Sequence, residues 1–123
     1  PAQAARVHAG ELAEFFSGPP EFDLVLLGLG PDGHTASLFP DRLALEAMGP
    51  VAGELEPGLP PRVPRLTLTF ETINRSRAVL FCATGSEKAA IFERISVDPE
   101  GSAEDIPAAR VRPAGRLLWF LAP

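Results

Sequence analysis

The pattern of apolar and polar positions divides the chain into short segments of alternating type. From Ala2 to Phe16, the residues Ala5, Ala9, Leu12, Ala13 and Phe16 recur at helical spacing, with Arg6, Glu11 and Glu14 on other faces. An amphipathic helix is predicted, stopped by Gly18-Pro19-Pro20. Phe22 to Leu27 is an apolar-rich run ending at glycine, which predicts a strand buried on both faces of a parallel sheet, followed by a tight loop over Gly28 to Gly33. Thr35 to Phe39 is expected to start a helical turn that Pro40 interrupts, and Arg42 to Met48 to form a second short helix. Gly49 to Pro64 is so rich in proline and glycine that irregular backbone with at most one short strand is expected. Arg65 to Phe70 alternates strictly and suits a strand with one covered face. Ala78 to Thr84 reads as another buried strand, running through Gly85-Ser86 into a helix over Glu87 to Ile95, with Thr84 and Glu87 at capping-box spacing. Ser96 to Pro107 is polar and turn-rich, and Leu117 to Leu121, with Trp119, makes a last strand.

Strands alternating with helices predict an α/β domain with a mainly parallel sheet flanked by helices. Four strands are fewer than a doubly wound sheet usually has, and the chain has no initiator Met before Pro1. The N-terminal part of the domain is therefore expected to be missing, with residues 1–123 forming the C-terminal half of one domain. Such a half would expose a sheet edge and aggregate or bind its other half.

Composition changes this picture only by exclusion. With 46% hydrophobic residues in 123, the chain can bury a real core. Its net charge is -5, and its ten arginines stand singly or in pairs, which excludes a basic footprint for nucleic acid or an anionic membrane. An anionic ligand must be held by a local site. No apolar run is of membrane-spanning length, and the start lacks the features of a signal peptide. Cys82 is the single cysteine, so no internal disulfide or cysteine metal cluster can form; a reducing, cytoplasmic setting is expected.

In open α/β sheets ligands sit outside the carboxyl ends of the strands, where loops and helix N-termini present unpaired N–H groups. Two loops qualify, Gly28 to Ser37 and Thr84 to Lys88. The first contains Gly-x-Gly-x-x-Gly, but Pro40 follows Gly33 too closely for the long helix of a dinucleotide fingerprint, and no strand with a terminal acid follows near Glu46. Its distinguishing feature is His34, with Asp32 two positions earlier. A histidine takes and returns protons near neutral pH, and Asp32 would orient its imidazole. Equally open is the plainer reading in which Asp32 caps the next turn and His34 is packed or solvated. Lys88, the only lysine, stands in the first turn of a helix behind Gly85 and Ser86. It reads either as the cation of a phosphate site built with those N–H groups or as an ordinary surface lysine.

The string from Phe22 to Pro40, FDLVLLGLGPDGHTASLFP, closely resembles the signature of 6-phosphogluconolactonases. The similarity continues through Arg65-Leu-Thr-Leu-Thr, Ile73-Asn74, Thr84-Gly-Ser-Glu-Lys88-Ala89, Pro107-Ala-Ala, Gly115 and Trp119, and so covers nearly the whole chain. The resemblance implies a Rossmann-like sheet that binds a sugar-phosphate lactone, and a hydrolase of the oxidative pentose phosphate pathway that needs no metal and no cofactor. His34 would match the general base that activates water, with Asp32 orienting it. N–H groups of the glycine loop, Gly30 and Gly33, would steady the oxyanion. Lys88, with Gly85 and Ser86, would hold the phosphate.

Glucosamine-6-phosphate deaminases carry a similar loop but continue Ile-Ala-Phe-Asn-Glu-Pro where this chain has Thr35-Ala-Ser-Leu-Phe39-Pro40. A phenyl ring at the position of the catalytic carboxylate cannot do acid–base chemistry. Another alternative is a non-catalytic sugar-phosphate-binding module. The resemblance also implies an N-terminal half carrying a further phosphate loop and an arginine absent from this chain. Arg62 and Arg65 lie on a different segment and are assigned structural or surface duties; Thr35 and Ser37 are expected to stabilise the loop, and His8 to be solvated.

Overall fold

The computed structural model describes residues 1–123 and bears out the first helix to the residue, with α1 spanning Ala2–Phe16. Ser17, at φ 54, turns left-handed, and Gly18 N–H closes back on the Ala13 carbonyl at 3.0 Å. The helix buries only Ala5 fully, because it lies on the outside of a two-stranded ribbon rather than in the core. That ribbon is β2, Val51–Glu54, paired antiparallel with β3, Arg65–Leu68. The proline-rich segment thus contributes one short strand, as expected.

β1 (Val25–Leu27), β4 (Ala78–Thr84) and β5 (Arg116–Ala122) form a parallel sheet in the order β1-β4-β5. The pairing aligns Val25, Val79 and Leu117 in one row, and Leu27, Phe81 and Trp119 two residues further on. Val25, Leu27, Val79, Phe81 and Ala83 point into one core with Ile73, Ile106, Ala108, Ala109 and Val111. Phe81 and Trp119 stack at 4.0 Å between centroids, and Phe92 of α3 (Ser86–Val97) closes on Trp119 at 5.1 Å. Since Phe81 is wholly enclosed, Phe81→Ala is expected to cost about 3–5 kcal/mol, seen as a lowered urea midpoint. A loss below about 1 kcal/mol would contradict its central place in the core.

β1 and β4 are covered on one face only, which corrects the expectation of strands buried on both, and β5 is largely exposed along both. Leu26, Leu118 and Phe120 are exposed by 64%, 40% and 66%, and Cys82 beside them is also exposed. Alternating side chains point to opposite faces, and the helices in this chain cover just one. β3 departs in a second way: its covered residue is Thr67, while Leu66 faces outward. The buried hydroxyls have partners that make this arrangement tolerable. Thr67 Oγ1 accepts from the Ser37 N–H at 3.1 Å and donates to the Leu68 carbonyl at 2.9 Å. Thr69 caps α2, Phe70–Arg75, a helix that the alternating pattern of the preceding strand concealed.

Three local expectations fail. Thr35 to Phe39 forms no helical turn: Ala36 sits at φ 50, Thr35 and Leu38 bridge each other, and the Ser37 N–H is taken by Thr67. Arg42 to Met48 contains a single 3-10 turn, Leu43–Glu46. The capping box at Thr84 and Glu87 is absent too. Thr84 stays in β4, and Gly85, at φ 98, occupies the cap position without any side-chain bond. The polar stretch after α3 folds into the short helix α4, Pro99–Ser102, and a 3-10 turn over Pro107–Arg110.

Candidate active site

The glycine loop leaves the carboxyl end of β1 and closes on itself. Gly30 N–H donates to the His34 carbonyl at 2.8 Å, and Gly33 N–H donates to the Gly30 carbonyl at 3.0 Å. Thr35 Oγ1 ties the far end of the loop to the Gly28 carbonyl at 2.8 Å, the stabilising duty expected of it. Gly33, at φ 83, lies against Ile106, where an added Cβ would stand 2.7 Å from Cγ2, and its carbonyl accepts from Ala108 N–H at 3.0 Å. The segment Pro107-Ala-Ala therefore backs the loop from behind.

This folding brings Asp32 and His34 together. His34 Nδ1 lies 2.6 Å from Asp32 Oδ1, and the same oxygen accepts the His34 backbone N–H at 3.1 Å. An ionised carboxylate has no proton to give, so Nδ1 carries the hydrogen, and in the neutral imidazole Nε2 keeps its lone pair. Nε2 makes no hydrogen bond, and both side chains are about a fifth to a quarter exposed, at 18% and 26%. The arrangement suits a base that accepts a proton at Nε2 while Asp32 stabilises the cation that results. Asp32 therefore faces the imidazole and does more than cap a turn.

Lys88 reaches from the first turn of α3 to the first loop, where Nζ donates to the Leu29 carbonyl at 2.5 Å. It is half-buried, and so departs from the plain surface lysine. No side chain caps α3, so its opening N–H groups around Ser86 are without partners, whereas Gly85 N–H is engaged by the Ala122 carbonyl at 3.0 Å. Gly28, Leu29, Thr84, Lys88, Phe120 and Ala122 surround an open cleft of about 410 Å³ at the carboxyl ends of all three parallel strands. His34 is not in its wall. The two candidate side chains are joined through the Leu29-Gly30 backbone, with Lys88 on this cleft and His34 outside its wall.

The loop glycines correct one expectation. Because the N–H groups of Gly30 and Gly33 are both engaged inside the turn, they have none to offer an oxyanion. Gly30 instead allows close approach: an added Cβ would lie 2.0 Å from His34 Nδ1. The structure also brings in residues that spacing alone could not connect. Phe39, fully buried, stacks on the His34 ring at 4.3 Å, and the Arg65 guanidinium lies over Phe39 at 5.4 Å. Arg65 keeps a structural bond to the Pro61 carbonyl, yet its charge sits one ring away from His34. Arg62 is exposed, and His8 is half-exposed beside Glu11. No three His, Cys, Asp or Glu side chains gather as a metal site.

Fold and site together define an α/β domain with a His–Asp pair on the loop at the carboxyl end of a parallel strand. A family model described as glucosamine-6-phosphate isomerases/6-phosphogluconolactonase matches residues 1–119, and the chain belongs to this family. It is 44% identical over 122 residues to the 6-phosphogluconolactonase of Bos taurus, covering 97% of this chain and 46% of that protein. The crystal structure of the 6-phosphogluconolactonase from Thermotoga maritima superposes with a TM-score of 0.81 at 36% identity, covering 98% of this chain and 51% of that one. A 6-phosphogluconolactonase from Trypanosoma cruzi gives a TM-score of 0.86 at 32% identity over 98% and 49%. The chain thus spans about half the length of the curated relatives it matches. No helix is long and apolar enough to cross a membrane.

Proposed function

We propose that the protein carrying this chain hydrolyses 6-phospho-D-glucono-1,5-lactone to 6-phospho-D-gluconate in the cytoplasm, with His34 as general base. The observation that carries this reading is the Asp32–His34 bond of 2.6 Å, which leaves Nε2 open. Nε2 takes a proton from water as the water oxygen bonds to C1 of the lactone. The tetrahedral intermediate then collapses, the bond from C1 to the ring oxygen breaks, and the imidazolium returns its proton to that oxygen. Donors for the oxyanion are N–H groups other than those of Gly30 and Gly33, which are engaged inside the turn.

The 6-phosphate is assigned to Lys88 with the unpartnered N–H groups at the start of α3, near Gly85 and Ser86. The remaining wall, and the cover for the open face at Leu26, Leu118 and Phe120, are assigned to the other half of the domain, consistent with relatives about twice as long. Phe39 supports the lactonase over the deaminase, since a buried phenyl ring occupies the carboxylate's place in the motif.

The test is disappearance of freshly prepared lactone against its spontaneous hydrolysis. A rate equal to the background, with 6-phosphogluconate nonetheless bound in calorimetry, would replace the enzyme by a binding module. Lys88→Met is expected to raise KM for the lactone about tenfold or more, the worth of a charge-assisted hydrogen bond. An unchanged KM would remove Lys88 from the phosphate site.

A further inference from the structure

We propose that Phe39 is a positioning residue that sets the plane of His34 and so the direction of Nε2; this rests on the reading of His34 as the base. The imidazole is tethered at its Cβ and, through Nδ1, to Asp32. Two tethers leave a hinge. Rotation about the line joining them would swing Nε2 while keeping the Asp32 bond, so that bond alone cannot aim the lone pair. The hinge is stopped by the Phe39 ring, 4.3 Å away between centroids and inclined by 30°. The Nδ1–Cε1 edge meets the Gly30 backbone, where even a Cβ would stand 2.1 Å from Cε1. Nε2, on the other side of the ring, makes no hydrogen bond within the chain.

Phe39 is in turn enclosed. It has no exposed surface, Gly58 lies beside it with room only for a Cβ in ordinary contact with Phe39 Cδ1 at 3.4 Å, and Arg65 lies over its ring. Gly58 belongs to the proline-rich excursion, which thereby gains a purpose: it backs the ring that backs the base. Aromatic faces fix one another's orientation in a way an aliphatic side chain of similar volume does not.

The test compares Phe39→Leu with Phe39→Tyr in the whole protein. Phe39→Leu is expected to lower kcat on the order of 10- to 100-fold, the effect of misplacing a catalytic group by about 1 Å, with KM changed less than about twofold. Phe39→Tyr, which keeps the flat face, is expected to recover most of kcat. A purely structural role would lower the folded fraction without separating kcat from KM. Proton NMR supplies a readout independent of turnover: ring current from Phe39 should move the carbon-bound His34 protons upfield of those of His8, which stacks on no ring. Coincident His34 and His8 signals, or an undiminished kcat in Phe39→Leu, would overturn the proposal. If the wild-type protein proves inactive on the lactone, the functional reading falls and the NMR comparison alone decides the positioning. It decides equally if Phe39→Leu fails to fold.

Discussion

Replacing His34 with glutamine is expected to lower lactone hydrolysis by about 10²- to 10⁴-fold, the usual share of a positioned general base. Glutamine keeps a polar group near Asp32 but has no site that accepts and returns a proton near neutral pH. With the phosphate assigned, as proposed, to Lys88 and the start of α3, KM should change far less than kcat. Asp32→Asn should also be damaging, because an amide can present its N–H to Nδ1 and favour the tautomer whose proton sits on Nε2. The lactone opens by itself in water, so the rates must be read above that background with fresh substrate. If His34→Gln retained the wild-type kcat, the base would have to be another group, and the chain offers only exposed His8, on α1, as a second imidazole.

The second large effect is expected from a single methyl group. In Gly30→Ala the new Cβ would fall 2.0 Å from His34 Nδ1 and 2.9 Å from Asp32 Oδ1. Contacts this short cannot exist, so either the imidazole leaves Asp32 or the loop backbone moves. Both outcomes misplace Nε2, and kcat is expected to fall on the order of 100-fold, with overpacking costing about 1–3 kcal/mol of stability. Loss of the far-downfield imidazole N–H signal would accompany the fall if the Asp32 bond breaks. Gly10→Ala, at an exposed position of helix α1, is the comparison: nothing lies within 4 Å of its Cβ, so its rate should stay close to wild type. Equal losses in the two variants would argue against close packing at Gly30 as the cause.

Much of the site could be read along the chain because its key pair is local. Asp32 and His34 are two residues apart on a turn, and local geometry suffices to bring them to 2.6 Å. Lys88 was legible as a candidate, since a lone lysine opens a helix after a strand. That it reaches the Leu29 carbonyl was not, for that bond spans 59 residues. Phe39 drew attention only for the chemistry it lacks. Its stacking on His34 depends on Ala36 turning left-handed and on Thr67 capturing the Ser37 N–H from another strand.

The same distinction runs through the fold. Hydrophobic spacing sufficed for α1, β4 and β5, whose periodicity is a local consequence of helix and strand geometry. It misjudged faces, because an apolar run does not say whether anything covers it, and Leu26 and Phe120 lie open. It inverted β3 in effect, since hydrogen-bonded threonines occupy the covered side where leucines would be expected. By itself, then, the sequence determined the α/β class, the loop at the end of β1 and the residues able to move a proton or hold an anion. Tertiary structure decided which way those residues point and what supports them. Propensity and proton affinity belong to single residues and their neighbours, whereas aim belongs to contacts between distant segments that only the folded chain brings together.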